Sequence, residues 1–263
     1  MDRVRPHPYF DHGFAALAHR GGSLLESNLG RENTLTAFRN AVALGYRYLE
    51  TDVHVTADGQ LIAFHDDRLD RVSDATGLIA SLSWARLQEV QVNGEPIPLF
   101  ADLLEEFPDV RFNVDIKAAG AEGPLAELLA SRGAFDRVCV GSFSQRRLDT
   151  YRGLAGRMAG AAVATSCGPV EVGSAMAGGL LGVPVPGPGL AYQVPTHTEV
   201  AGRPVPVVTR GFVRSAHRAG RAVHVWTIDD PDEMHHLIDL GVDGLVSDAI
   251  DVLKKVLVNR GLW

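Results

Sequence analysis

The stretch "YRYLETDVHVTADGQLIAFHDD", residues 46–67, decides how the chain folds. Its first part, 46–55, reads as a strand. The Asp-Gly of "TADG" then turns the chain back, and "QLIAFH" (60–65) returns as a second strand, making a hairpin. Glu50 and Asp52 are two apart and so share one face of the first strand. His65 closes the second.

The same kind of apolar run recurs along the chain: "FAALAH" (14–19), "VRFNVDIK" (110–117), "RVCVGS" (137–142), "RMAGAAV" (157–163), "LAYQVP" (190–195), "AVHVWT" (222–227) and "GLVSD" (244–248). Helical patterns lie between them. "NTLTAFRNAVALG" spaces Leu35, Phe38 and Val42 along one face, with a polar cap at Asn33 or Thr34 and Gly45 as terminator. "VVTRGFVRSAHRAG" and "DPDEMHHLIDLG" also end on glycine. Strand and helix alternating through a whole chain means parallel strands joined by crossover helices. Roughly eight such units favour a closed (β/α)8 barrel over an open doubly wound sheet. The α/β reading is therefore a single-domain TIM barrel over residues 14–260, preceded by an N-terminal arm, 1–13, with the hairpin inserted after the second strand. The Gly/Pro-rich span 168–190 is the irregular part, a loop or loose helix over one mouth of the barrel.

Composition supports this and narrows the partners. The 263 residues are 46% hydrophobic and 22% charged, as in an ordinary soluble globular protein. A net charge of -7 argues against general nucleic-acid binding and against a polybasic membrane anchor. No run of ~18 apolar residues is present to span a bilayer. "MDRVRPHPYFDHGF" has no apolar core of a secretory signal. The two cysteines, Cys139 and Cys167, form no disulfide framework, and Cys139 reads as a small apolar residue in a buried strand. The expected location is the cytoplasm, and the expected partner a small molecule.

In a parallel barrel the C-terminal strand ends converge on one mouth, where chemistry is done. There the sequence places His19 and Arg20, then Glu50 and Asp52, then His65, then Asp115 and Lys117. Three carboxylates crowded into a half-buried mouth need a cation between them. Their hard oxygens suit Mg2+ or Ca2+ better than zinc. Arg20, a fork, and Lys117, a point charge, suit a phosphate. The two histidines can act as general acid and base. The residues alone point to metal-assisted phosphoryl transfer without naming a substrate.

"AHRGG" followed by "RENTLTAF", "LETDVHVTADGQLIAFHDD", "NVDIK", "VWTID" and "GVDGLVSD" resembles the glycerophosphodiester phosphodiesterase family from about residue 14 to 250, with the motifs in the family's order. The resemblance implies that Glu50, Asp52 and Asp115 bind one divalent cation, that His19 and His65 are the acid and base, and that Arg20 and Lys117 hold the phosphate. It implies that Trp226 lines the glycerol side. It further implies attack of the glycerol 2-hydroxyl on phosphorus, a cyclic phosphate, and its opening by water to glycerol 3-phosphate. Either histidine could start as base. The chain departs from the family in three places. Arg31 replaces the proline of "PENT", Asp115 stands where glutamate is common, and "IPLF" (97–100) replaces "IPTL". Two alternatives stand beside this: the same chemistry on a lysophospholipid or other phospholipid, and a catalytically silent barrel that binds phosphodiesters.

Other polar residues read as supporting. His54 shares a face with Glu50 and Asp52 but reads as a core histidine. Asp66 is placed to orient His65, and Glu32 to brace the mouth. Asp248 either touches the pocket or caps the last helix.

Overall fold

The computed structural model describes residues 7–11, 13–181, 183–200 and 202–263. Its first half holds β1 (Ala15–His19), α1 (Leu35–Ala43), β2 (Tyr48–Val55), β3 (Leu61–Ala63), α2 (Trp84–Leu87), β4 (Gln91–Val92), β5 (Glu95–Pro96), α3 (Phe100–Glu106) and β6 (Arg111–Ile116). There follow α4 (Glu122–Ser131), β7 (Val138–Gly141), α5 (Gln145–Ala159), α6 (Pro169–Leu181), β8 (Ala191–Val194), β9 (His197–Val200) and β10 (Arg203–Pro206). The chain closes with α7 (Arg210–Arg218), β11 (Ala222–Val225), α8 (Pro231–Leu240), β12 (Gly244–Ser247) and α9 (Ile250–Asn259).

The principal sheet runs β7-β6-β2-β1-β12-β11-β8, all neighbours parallel, with β3 added antiparallel to β2. Between β7 and β8 the ring is completed by two residues only. Thr165 pairs with Val140 of β7 and Ser166 with Ala191 of β8, both in parallel. The barrel is thus closed, with a fifth strand reduced to bridges at 165–166. This corrects the strand expected over 157–163. Leu148, Tyr151 and Ala155 recur at helical spacing and are buried, so α5 continues to Ala159. Gly160 stops it in the left-handed conformation, φ +64. The arm expected at 1–13 falls partly outside the described residues (1–6 and 12). Of the rest, Pro8–Phe10 form a 3-10 turn with Tyr9 and Phe10 buried.

Alternation along the strands explains how one chain builds both a dry core and a polar mouth. Ala16 and Ala18, Leu49 and Val53, and Phe112, Val114 and Ile116 face the helices and join the main core. The opposite parity turns into the barrel. At its base it carries Ala15, Leu17, Tyr48, Cys139, Ala191 and Ala222, which pack with Tyr9 and Phe10. Small residues leave the room that the two rings fill; Tyr9 and Tyr48 meet edge to face at 5.4 Å. Continued toward the strand ends, the same inward parity gives His19, Glu50, Asp52, Asn113, Asp115 and Lys117.

In the span 168–190, where a loop or loose helix over one mouth is expected, the first half is the helix α6, whose Pro169, Val172 and Met176 line the barrel mouth. Two buried charges fix this roof. Glu171 accepts from the Gly168 and Gly189 amides, 2.9 Å each, and from Arg152 at 2.8 Å. Arg221 donates to the carbonyls of Val185 and Gly187 and to the Tyr192 hydroxyl. The antiparallel hairpin β9–β10, which the sequence reading passes over, follows β8 beside the same mouth.

Burial opposes the charge on Glu171, but the two amides and Arg152 outweigh it and hold its pKa below the ordinary carboxylate value. A carboxylate lowered on folding stabilises above its unfolded pKa, and that contribution is lost as pH falls through the folded value. Glu171→Ala is expected to cost about 2–4 kcal/mol at neutral pH. Denaturant unfolding should show the gap to wild type closing in acid; a gap independent of pH would contradict this account.

Candidate active site

The end of β1 forces a sharp turn. Arg20 is left-handed at φ +51, and Gly21 and Gly22 follow at φ +89 and +88. A side chain on Gly21 would lie 2.8 Å from the Ala37 Cβ, and one on Gly22 2.5 Å from Ile250, so the loop can be drawn this tightly against α1 and α9 only with glycine. The turn leaves His19 facing inward at the strand tip. Its Nδ1 donates to Asp248 Oδ1 at 2.9 Å, and its Nε2 stands 3.8 Å from Glu50 Oε2. Burial disfavours the imidazolium, yet the Asp248 hydrogen bond and the Glu50 and Asp248 charges prevail and raise the His19 pKa. Asp248 also accepts from Ser23 Oγ at 2.6 Å. It is therefore a residue that holds His19 from behind the cavity wall, not among those lining the cavity; the N-cap of α9 is Ala249, which makes no side-chain cap.

Register sets the carboxylates. Glu50 lies opposite His19 across β1 and β2, and Asp52 opposite Asp115 across β2 and β6. Lys117 Nζ bridges the last two, 3.0 Å from Asp52 Oδ1 and 2.8 Å from Asp115 Oδ2. Arg20 Nε is 3.2 Å from Asp52 Oδ2, and Asn33 Nδ2 donates to the same oxygen at 3.1 Å. Asp52 is the best compensated: burial raises its pKa, but Lys117 and Arg20 more than reverse that. Asp115 and Glu50 are left short. Burial outweighs Lys117 and raises Asp115; burial, then the Asp52 charge, pushes Glu50 up to about 7.

His65 follows β3. Its Nδ1 donates to Asp66 Oδ1 at 2.5 Å. Asp66 is held at about 2, first by the Arg71 hydrogen bond. His54 is not among the residues lining the cavity. It is buried, and its Nε2 donates to the His65 carbonyl at 3.0 Å, so it supports the His65 backbone.

His19, Arg20, Glu50, Asp52, His65, Asp115, Lys117 and Trp226 all line one cavity of about 610 Å³. Sequence reasoning picks out all eight. Of the two cap candidates, Asn33 and Thr34, Thr34 is the N-cap of α1; what the sequence reading misses is the part Asn33 plays at the site. Asn33 is left-handed at φ +59, accepts from Thr51 and aims its amide at Asp52. The sequence reading also misses Asn113 and Gln193, bonded to one another at 2.6 Å across the barrel. The other half of the cavity is apolar, with Val172 and Met176 of α6, Val207, and Phe143 edge-on to Trp226 at 5.5 Å.

Among the described residues no three His, Cys, Asp or Glu side chains stand together as a ready metal site. Lys117 takes the position between Asp52 and Asp115. The donor chemistry nevertheless suits a hard divalent ion. Asp115 Oδ1 is buried with no hydrogen-bond partner, Glu50 is under-compensated, and three carboxylates face two fixed cations.

Residues 19–158 and 183–252 match the sequence profile of the Glycerophosphoryl diester phosphodiesterase family. The chain is 38% identical over 257 residues, 95% of its own length and 93% of the other's, to "Probable glycerophosphodiester phosphodiesterase 2" of Mycobacterium tuberculosis. In fold it is similar to the glycerophosphoryl diester phosphodiesterase domain of an M. tuberculosis protein (TM-score 0.77, 19% identity, covering 94% of this chain and 99% of that one). It is also similar to an Oleispira antarctica phosphodiesterase solved with the product sn-glycerol-3-phosphate (TM-score 0.73, 21% identity, 94% and 97% covered).

Replacing Asp248 isolates its effect on His19. Asp248→Asn removes that charge and leaves only Glu50 to oppose burial at His19, so the His19 pKa should fall. An NMR titration of the His19 ring reads this directly, and an unchanged or higher value would contradict the assignment.

Proposed function

The chain belongs to the glycerophosphoryl diester phosphodiesterase family, and from that membership and the cavity we propose that it hydrolyses glycerophosphodiesters to glycerol 3-phosphate and an alcohol. The observation that carries the reading is the pairing of two histidines with two cations in one cavity. Each histidine donates Nδ1–H to a carboxylate, His19 to Asp248 and His65 to Asp66, which leaves both Nε2 atoms to exchange protons. Arg20 and Lys117 present the positive charge that a phosphodiester needs.

In this reading Arg20 and Lys117 bind the non-bridging oxygens and neutralise the charge that grows as phosphorus is attacked. One histidine removes the proton from the glycerol 2-hydroxyl, and the other protonates the departing alcohol oxygen. A cyclic phosphate results. Water then opens it with the histidine roles exchanged, giving glycerol 3-phosphate. Trp226 covers the glycerol side. Glu50, Asp52 and Asp115 would hold one divalent cation, Mg2+ or Ca2+. Bound there, the ion would supply positive charge and lower the pKa of a hydroxyl it touches. A cytoplasmic location is part of the proposal: both cysteines are buried free thiols, and among the described residues no helix is long and apolar enough to cross a membrane.

A second reading keeps the chemistry and changes the substrate to a lysophospholipid. The apolar wall of Val172, Met176, Val207 and Phe143 favours it, because a small glycerophosphodiester leaves that surface unused.

The deciding assay follows glycerol 3-phosphate released from glycerophosphocholine and glycerophosphoethanolamine, and lysophosphatidic acid released from lysophosphatidylcholine. EDTA should abolish turnover, and Mg2+, Ca2+ or Mn2+ should restore it. His19→Ala should lower kcat by roughly 10²- to 10⁴-fold. Turnover of the lysolipid alone would select the second reading. Phosphate binding without turnover of any diester would mean a silent barrel.

A further inference from the structure

Arg71 is not among the residues lining the cavity, yet it joins two of them. It lies beyond β3, in the segment that follows His65. One edge of its guanidinium donates to Glu32, Nη1 to Oε2 at 2.9 Å and Nη2 to Oε1 at 2.7 Å. The other edge donates to Asp66, Nε to Oδ2 at 2.6 Å and Nη2 to Oδ1 at 3.0 Å. Each carboxylate holds a group of the mouth with the same oxygens. Glu32 Oε1 accepts from Arg20 Nη1 at 3.1 Å, and Asp66 Oδ1 accepts from His65 Nδ1 at 2.5 Å. The result is an unbroken chain, His65–Asp66–Arg71–Glu32–Arg20, closed through a single guanidinium.

We propose that Arg71 is a positioning residue that sets the phosphate-binding arginine and His65 together, through Glu32 and Asp66. The proposal rests on the roles given above to Arg20 and His65. Three observations support it. Only a planar fork can meet two carboxylates along two edges at once, which an ammonium cannot do. Among the described residues Glu32 supplies the side-chain hydrogen bond at the outer end of Arg20, to Nη1, while Nε makes an ion pair with Asp52 at 3.2 Å that lacks hydrogen-bond geometry. Glu32 and Asp66 come from different loops, one before α1 and one after β3. Backbone hydrogen bonds anchor each loop separately, and among the described residues Arg71 is the side chain that ties Glu32 to Asp66.

The position of Arg71 makes the test practicable. Its side chain is 47% exposed and borders an outer cleft of about 550 Å³ with Ser73, Asp74 and Asn93. A small guanidinium ion can therefore reach the place that Arg71→Ala vacates.

In the full chain, Arg71→Ala should lower kcat/KM on the order of 10²-fold, the penalty of small misplacements at a reacting centre. Both KM (through Arg20) and kcat (through His65) should change. Millimolar guanidinium should restore much of the activity of Arg71→Ala and none should be gained by wild type, while Arg71→Lys should recover only part. Glu32→Gln combined with Arg71→Ala should cost far less than the product of the single losses. Inorganic phosphate, titrated calorimetrically, should bind Arg71→Ala more weakly than wild type. Wild-type kinetics in Arg71→Ala would overturn the proposal. So would a loss that tracks a lowered Tm and ignores guanidinium. If Arg20→Ala left both turnover and phosphate binding intact, the roles assigned to the cavity itself would fall and take the proposal with them, a result separate from either of those.

Discussion

The constraint on which the rest depends is charge balance in the barrel mouth. Glu50, Asp52 and Asp115 are almost wholly withdrawn from water, and three carboxylates in so dry a place repel one another strongly. Lys117, bridging Asp52 and Asp115, is what lets β2 and β6 stay side by side with both residues turned inward. Burial opposes the ammonium, but the two carboxylates raise its pKa and keep it charged. The balance is deliberately incomplete in effect: it holds the cluster together while leaving Glu50 and one oxygen of Asp115 short of positive charge.

Geometry outside the cavity keeps that balance in place. The inward-facing residues at the strand tips are positioned by hydrogen bonds from loops: Asp248 on His19, Asn33 on Asp52, Asp66 on His65. The loops are themselves pinned. Asn28 donates to the carbonyls of Gly21 and Gly22, and Asp229 accepts from the backbone amides of Asp248 and Ala249. Rigid strands give the coarse placement and paired loop side chains the fine one, a division of labour common in barrels.

Much of this was legible in the sequence because strand-end chemistry leaves a short-range trace. "LETD" and "NVDIK" put charged residues at period two in otherwise apolar strands, which only an inward-facing polar mouth explains. Closure of the barrel was harder to place. The fifth strand consists of Thr165 and Ser166, too short for any periodicity, while the run before it is split between the end of α5 at Ala159 and the connection after Gly160. Asn33 left a faint mark, since asparagine tolerates the left-handed conformation that its turn requires. The link from Arg71 to Glu32 spans 39 positions, and nothing in the local pattern of either residue announces it. Contacts made across loops by long polar side chains carry no period.

The Tyr9 and Phe10 rings at the base of the barrel have a consequence for traffic. They fill the lower end among the described residues, with Tyr48 donating its hydroxyl to the Tyr9 carbonyl at 2.8 Å, so the cavity is reached from the strand-end side. In a two-step reaction the first product has to vacate the mouth before water can reach the phosphorus behind it. Release and solvent entry would then share one region of the molecule, the mouth beneath α6.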